Sequence, residues 1–179
     1  SLAAAPTVLG AAGFDFAALT TSKGLRSVPL AITGRDPGPY VRHFPDVLAS
    51  LPELQAAAHG QALLSVDIQK GAVRRLPLLA TVGEQLVPGL AMEMLRVAAG
   101  AAAIEVTAGA RGVTAVRVAE LSVPTQPNGE IWLRYAPLAA GMHRYLSARD
   151  VLDGRIDPTA LAGKLVLIGL VGSGLSDMR

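Results

Sequence analysis

The sequence predicts the α/β class, with a mixed sheet that has helices packed on it in a single domain. Helix-like segments alternate with short apolar runs along the whole chain. One run, KLVLIGL at 164–170, is apolar almost throughout, which is typical of a central strand covered on both faces. A chain of 179 residues that is 51% hydrophobic can bury such a core without the disulfides or metal sites that small domains need.

The first quarter of the chain predicts one strand followed by a long loop. Residues 7–14 form a strand-like run after Pro6. Residues 15–45 are rich in Gly, Pro, Ser and Thr, so we expect a loop with at most a short strand around 28–32. Loops of this length are uncommon in compact domains and are often functional.

The next segment predicts a helix and a hairpin. Residues 52–60 begin with proline, are rich in alanine and end on Gly60, which suits the left-handed position after a helix. Residues 62–83 have the pattern of a hairpin with its turn at 69–71. Pro77 inside the hairpin indicates an edge strand or a bulge.

The second half predicts three more helices and further strands. A helix at 87–100 has apolar residues at helical spacing, namely Leu90, Met94, Leu95 and Ala98. The strands that follow are expected at 103–107, 113–118, 121–123 and 130–136, with an Asn-Gly turn in 124–129. Two capped helices are expected at 147–154 and 157–163, before the apolar run.

Composition excludes several classes of function. The net charge is +2, from 16 basic and 14 acidic residues without a polybasic stretch, so binding to nucleic acid has little support. The absence of cysteine excludes disulfides, thiolate metal sites and a cysteine nucleophile. His43, His59 and His143 share no ligand spacing, and we expect neither a metal nor a cofactor.

The glycine-rich loop 169–177 lacks the groups that bind phosphates in nucleotide sites. Leu175 stands where a Walker loop needs lysine, and Asp177 stands where the dinucleotide fingerprint needs glycine. A tight turn is therefore the default interpretation. Nucleotide binding at this loop remains the alternative hypothesis.

Arg74 and Arg75 are two adjacent basic residues, and one of them could bind a ligand. Successive strand residues face opposite ways, so at most one of the two points into any pocket. A bidentate arginine could bind a carboxylate or a phosphate. Two solvated arginines on an edge strand are the alternative.

Three blocks of the chain together resemble CHASE domains of the second type. The first, SARDVLDGRIDPTALAGKLVLIGLVGSGLSDMR at 147–179, is similar to the end of that family, and the second, at 123–137, carries its Pro-Thr, glycine and Tyr-x-Pro positions. The third, VRRLPLLATVGEQLVPGLAMEMLR at 73–96, has glycine where the family commonly has serine. Gln69 and Lys70 stand where the family often has acids, which argues against a cation site at that turn.

The resemblance implies a non-catalytic sensor on the extracytoplasmic (periplasmic) side of the cell membrane. The parent would be a transmembrane bacterial receptor, and its cytoplasmic output enzyme would be an adenylate cyclase, a histidine kinase or another kinase or cyclase. Residues 1–179 would be one sensor domain that lacks the family's first strand and helix and the flanking transmembrane segments. The alternatives are a cytoplasmic nucleotide-binding enzyme fragment using 169–177 and a module that only dimerises its receptor.

The expected partner is an unknown small molecule or environmental stimulus, with a homodimer formed through the parent receptor and no nucleic acid. The residues proposed for ligand binding are Arg74, Arg75 and Asp177. The residues expected to shape the final strand and its bend are Gly163, Lys164, Gly169 and Gly174.

Overall fold

A computed structural model describes residues 4–17, 25–69, 71–136 and 145–169 of the chain. The chain divides into two compact units, Ser1–Leu133 and Arg134–Arg179, and each is described by itself. All statements below refer to the described residues.

The first unit is built from short strands and two helices. The strands are β1 Val8–Phe14, β2 Leu30–Gly34, β3 Arg42–Phe44, β4 Asp46–Leu48, β5 Gly60–Leu63, β6 Ile68–Gln69, β7 Ala72–Val73, β8 Arg75–Pro77, β9 Leu79–Val82, β10 Gln85–Pro88, β11 Ile104–Gly109, β12 Gly112–Val118, β13 Leu121–Pro124 and β14 Glu130–Trp132. The helices are α1 Pro52–Ala57 and α2 Leu90–Ala98.

These strands combine parallel and antiparallel pairing, which confirms the mixed α/β class. The larger sheets have the orders β13-β12-β11-β2, β10-β9-β3 and β4-β1-β5, and β14-β8 and β6-β7 form pairs. The pairs β1-β5, β2-β11 and β3-β9 are parallel. The strands thus form several small sheets rather than one wide sheet.

Two clusters of buried side chains hold the first unit together. The first lies against the four-stranded sheet, where alternate residues of β11 and β12 point inward, among them Ile104, Val106 and Val116, all 0% exposed. The second surrounds Phe44 and Val47. Helix α2 contacts β1 and β5 as well as β11 and β12, so it packs between strands of both clusters.

The predicted loop 15–45 is wrong in part. It contains β2, a 3-10 turn at Gly38–Tyr40 and β3, while 18–24 lie outside the described residues. Strand β3 forms because a distant strand, β9, supplies its hydrogen-bond partners. Local composition carries no signal for such pairing.

The predicted hairpin 62–83 is also wrong in its extent. Within 62–83, only β6 and β7 pair with each other, around a turn in which Gly71 has φ +79°. Beyond it, β8 pairs with β14, and β9 pairs with β10 and β3. Pro77 ends β8 in a two-stranded pair, which agrees with the predicted edge position.

Gly60 does not end a helix as expected. Helix α1 stops at Ala57, and Gly60 is the first residue of β5, paired with Val8. A Cβ atom at Gly60 would lie 2.2 Å from Oε1 of Glu93. The glycine is therefore required for close approach of α2 and not for backbone turning.

Helix α2 buries different residues from those its apolar spacing suggests. Met92 and Glu93 are buried, at 1% and 0% exposure, whereas Met94 and Leu95 are half-buried. Glu93 is compensated by Arg96 one turn later, which allows a charged residue on the inner face. The helix ends before Gly100, which has φ +62°.

The second unit contains a short helix, α3 Ala148–Leu152, and a 3-10 turn at Pro158–Ala160. Gly154 and Gly163 have φ of +68° and +67°, as expected for glycines after helical segments. The strand predicted at 164–170 is not formed over 164–169, and 170 lies outside the described residues. An apolar run becomes a strand only where another strand accepts its backbone hydrogen bonds, and 145–169 supply no such neighbour.

Candidate ligand cleft

A polar cleft of about 380 Å³ lies in the first unit. It is lined by Tyr40, Val41, Arg42, Asp67, Arg75, Asn128 and Glu130. Two arginines and two carboxylates therefore line one open cleft, and their formal charges cancel.

The pairing of β8 with β14 places Arg75 at this cleft. Trp132 lies opposite Arg75, and Glu130 lies opposite Pro77, so the side chains of all four residues project from the same face. Leu76 and its partner on β14 project from the other face and pack against the first core cluster. Packing on one face therefore fixes which polar residues line the cleft.

The best-buried charge of the cleft is Glu130, whose side chain is 10% exposed. Its Oε2 accepts a hydrogen bond from Nδ2 of Asn128 at 2.8 Å and lies 3.4 Å from Nη1 of Arg75. The guanidinium carbon of Arg75 lies 5.5 Å from the centre of the Trp132 ring, a cation–π distance. The Nε of Arg75 is buried, and no described residue accepts its hydrogen.

The second arginine of the cleft, Arg42, belongs to β3. Its Nη2 donates to both carboxylate oxygens of Asp15, at 3.0 and 3.1 Å, and its guanidinium lies 4.8 Å from the centre of the Phe44 ring. Asp15 is 71% exposed, so this pair contributes little to stability. The hydroxyl of Tyr40 donates to the Ala110 carbonyl at 3.2 Å.

The three residues proposed for ligand binding differ in where the structure places them. Arg75 lines the cleft, whereas the exposed Arg74 does not, and its carbonyl accepts a hydrogen bond from the Leu133 amide. A ligand-binding role stays a prediction for both, and the geometry favours Arg75. Asp177 lies outside the described residues.

The loop residues can be placed only in part. Gly163, Lys164 and Gly169 are described, and the amide of Lys164 donates to the Leu161 carbonyl at 3.2 Å, closing the turn at Gly163. Gly174 lies outside the described residues, as does the rest of the predicted glycine bend beyond Gly169. The alternative of nucleotide binding at 169–177 therefore stays a hypothesis.

Sequence reasoning missed Glu130, Asn128, Arg42 and Asp67. Asn128 was interpreted only as a turn former, yet its side chain also holds Glu130. Arg42 lay inside the predicted loop. Glu130 stands two residues before Trp132 in an alternating run and so shares its face, but no local signal places that face beside Arg75.

Two further features are absent from the described residues, a cluster of metal ligands and a membrane-spanning helix. No group of three or more His, Cys, Asp or Glu side chains there is arranged to hold a metal ion. No helix in the same part of the chain is long and apolar enough to cross a membrane. His43 bonds within the fold, with Nδ1 3.2 Å from Oγ1 of Thr81.

Comparison with known proteins gives one match. The family model described as "CHASE2 domain" matches residues 10–179, which is nearly the whole chain. Neither the curated proteins nor the solved structures contain a match.

Proposed function

Because the chain belongs to the CHASE2 domain family, a family of sensor domains, we propose that it is the signal-input domain of a transmembrane bacterial receptor. The domain lies on the extracytoplasmic side of the membrane. It regulates a cytoplasmic output enzyme, an adenylate cyclase or a histidine kinase, and is itself non-catalytic. The family match over residues 10–179 is the observation that carries this proposal.

The cleft around Arg75 and Glu130 is the proposed place of stimulus recognition. A stimulus changes a receptor only by binding two conformations with unequal affinity, so its site needs polar groups that can exchange partners. Arg75 has this property, since its pair with Glu130 is long at 3.4 Å and its Nε has no acceptor among the described residues. Glu130 lies on β14, the last strand before the second unit.

Location can be tested by cysteine labelling of a receptor whose cysteines outside these 179 residues are replaced, because the 179 residues themselves contain none. Arg74→Cys introduces a thiol at an exposed position of the complete receptor. In intact spheroplasts, a membrane-impermeant maleimide is expected to label this variant. A cysteine in place of the fully buried Val106 is the control that is expected to stay unlabelled in the folded receptor. Labelling of Arg74→Cys only after lysis would place the domain in the cytoplasm and overturn the proposal.

Regulation can be tested with the neighbouring arginines as a matched pair. Arg75→Ala in the complete receptor is expected to change the basal activity of the output enzyme, because it releases Glu130 from its cation. Arg74→Ala removes the same charge outside the cleft and is expected to leave that activity unchanged. Equal activity of both variants and the parent would argue against this cleft as the input site.

A further inference from the structure

We propose that the cleft binds a small zwitterion, a molecule that carries one carboxylate and one ammonium group at the spacing of an α-amino acid. Its signalling consequence rests on the proposed receptor function, but its binding does not. The inference draws on the unused hydrogen-bonding groups of the two arginines and on the two carboxylates beside them.

The arginines have donors to offer a ligand. Arg75 makes one ion-pair contact, through Nη1, and stacks on Trp132. Arg42 uses Nη2 alone, on an exposed partner. A guanidinium carries five N–H donors, so both side chains keep donors without a described acceptor. A carboxylate is the group whose two oxygens match such a planar fork.

The acids of the cleft restrict which carboxylates fit. Asp67 and Glu130 line the same cavity as the two arginines. A ligand with two or more negative charges, such as phosphate or sulfate, would be repelled by them. An ammonium group on the ligand converts the same carboxylates into favourable partners. A simple amine without a carboxylate would leave the arginine donors unused.

Binding of the ligand carboxylate is expected to move Arg75. Its resting position leaves a buried Nε without a described acceptor, which is unfavourable. New acceptor oxygens let the guanidinium leave the face of Trp132 and lengthen its contact with Glu130. Trp132 is 62% exposed, so little packing opposes this movement.

The test uses Trp132, the sole tryptophan of the chain, as a reporter beside the site. The 15N-labelled 179-residue chain is titrated with a pool of the proteinogenic α-amino acids and glycine betaine, then with each member that acts. A saturable shift of the Trp132 indole signal and of the Arg75 Nε signal is expected. Propionate lacks the ammonium group, ethylamine lacks the carboxylate, and sulfate carries two negative charges. None of the three is expected to shift either signal.

Arg75→Lys keeps the charge but loses the planar fork, and binding is expected to weaken about tenfold or more. Arg74→Lys is the matched control that is expected to bind like the parent. A thermal melt of each variant checks that it is folded. Absence of any saturable shift up to about 10 mM ligand overturns the proposal, as does equal binding of propionate or sulfate or equal affinity of the two variants. These results leave the labelling test of location untouched, so failures of the two proposals are distinguishable.

Discussion

The ion pair between Glu93 and Arg96 within α2 offers the sharpest test of how the first unit is stabilised. Glu93 is 0% exposed and the Arg96 side chain 13%. Two bonds of 2.7 Å join them, Nε to Oε2 and Nη2 to Oε1, and Arg96 also donates to the Ala101 carbonyl at 3.1 Å. The hydrogen bond to Glu93 raises the pKa of Arg96, so the guanidinium stays charged.

We predict that Arg96→Met destabilises the chain severely. The change leaves the carboxylate of Glu93 buried without its cation, and removal of one partner from a buried pair costs about 3–5 kcal/mol. In a chain of this size, each 1 kcal/mol lowers Tm by about 2–4 °C, so Tm is expected to fall by roughly 6–20 °C. Thermal unfolding followed by far-UV circular dichroism at pH 7 measures this shift, and urea unfolding gives the free energy.

The matched control is Arg117→Met. Arg117 also pairs with a glutamate, Glu105, but both side chains are 46% exposed, so the loss should be about 0–1 kcal/mol. The double variant Glu93→Met/Arg96→Met removes both buried charges and is expected to be more stable than Arg96→Met alone. If Arg96→Met and Arg117→Met unfold at the same temperature, burial of this pair does not decide stability.

Three other predictions concern single positions. Gly60→Ala places a methyl group 2.2 Å from the buried carboxylate of α2 and should cost about 1–3 kcal/mol in urea unfolding, whereas Gly109→Ala, with no atom within 4 Å of the new Cβ, should be near neutral. Ile104→Ala empties a fully buried site and should cost about 2–5 kcal/mol; a smaller loss would indicate that the core collapses to fill the space. A hydrogen bond from the Thr159 amide lowers the pKa of Asp157, so this cap contributes above the carboxyl's ordinary pKa and is lost as pH falls through the lowered value. The Thr159 amide resonance should report that loss on the acid side, and an unchanged resonance there would contradict it.

Elements with a complete local signal could be predicted from the sequence. Strand β11 alternates buried with more exposed residues, β12 does so over Val116–Val118, and both strands were expected. Helix α2 was expected from its spacing and its terminal Gly100. In each case the residues that decide the structure are near neighbours in the chain, so a pattern within a few residues is sufficient.

Elements that depend on distant partners could not be predicted. Strand β3 is three residues long in a Gly- and Pro-rich stretch, and only its pairing with β9 makes it a strand. Gly60 appeared to be a helix end because its requirement for space comes from Glu93 on another helix. The apolar run 164–169 had the opposite fate, since its composition favours a strand but 145–169 supply no partner.

The candidate site also combines a residue that a local pattern indicates with residues that depend on distant pairing. Arg75 could be nominated because two adjacent arginines in an extended run must face opposite ways. Its counter-ion Glu130 could not, because the register that places β14 against β8 joins segments more than fifty residues apart. Arg42 approaches the same cleft through a third segment, β3.

Helix α2 has a consequence for the cooperativity of the first unit. It contacts strands that belong to both buried clusters, and its one internal ion pair lies against Gly60 at the edge of β5. The strands around one cluster can then open only by breaking contacts of α2 that also hold the strands around the other cluster. Native-state hydrogen exchange should therefore find that the amides of β5 and β11 exchange through one shared opening event with a common free energy, because both strands pack on the same helix.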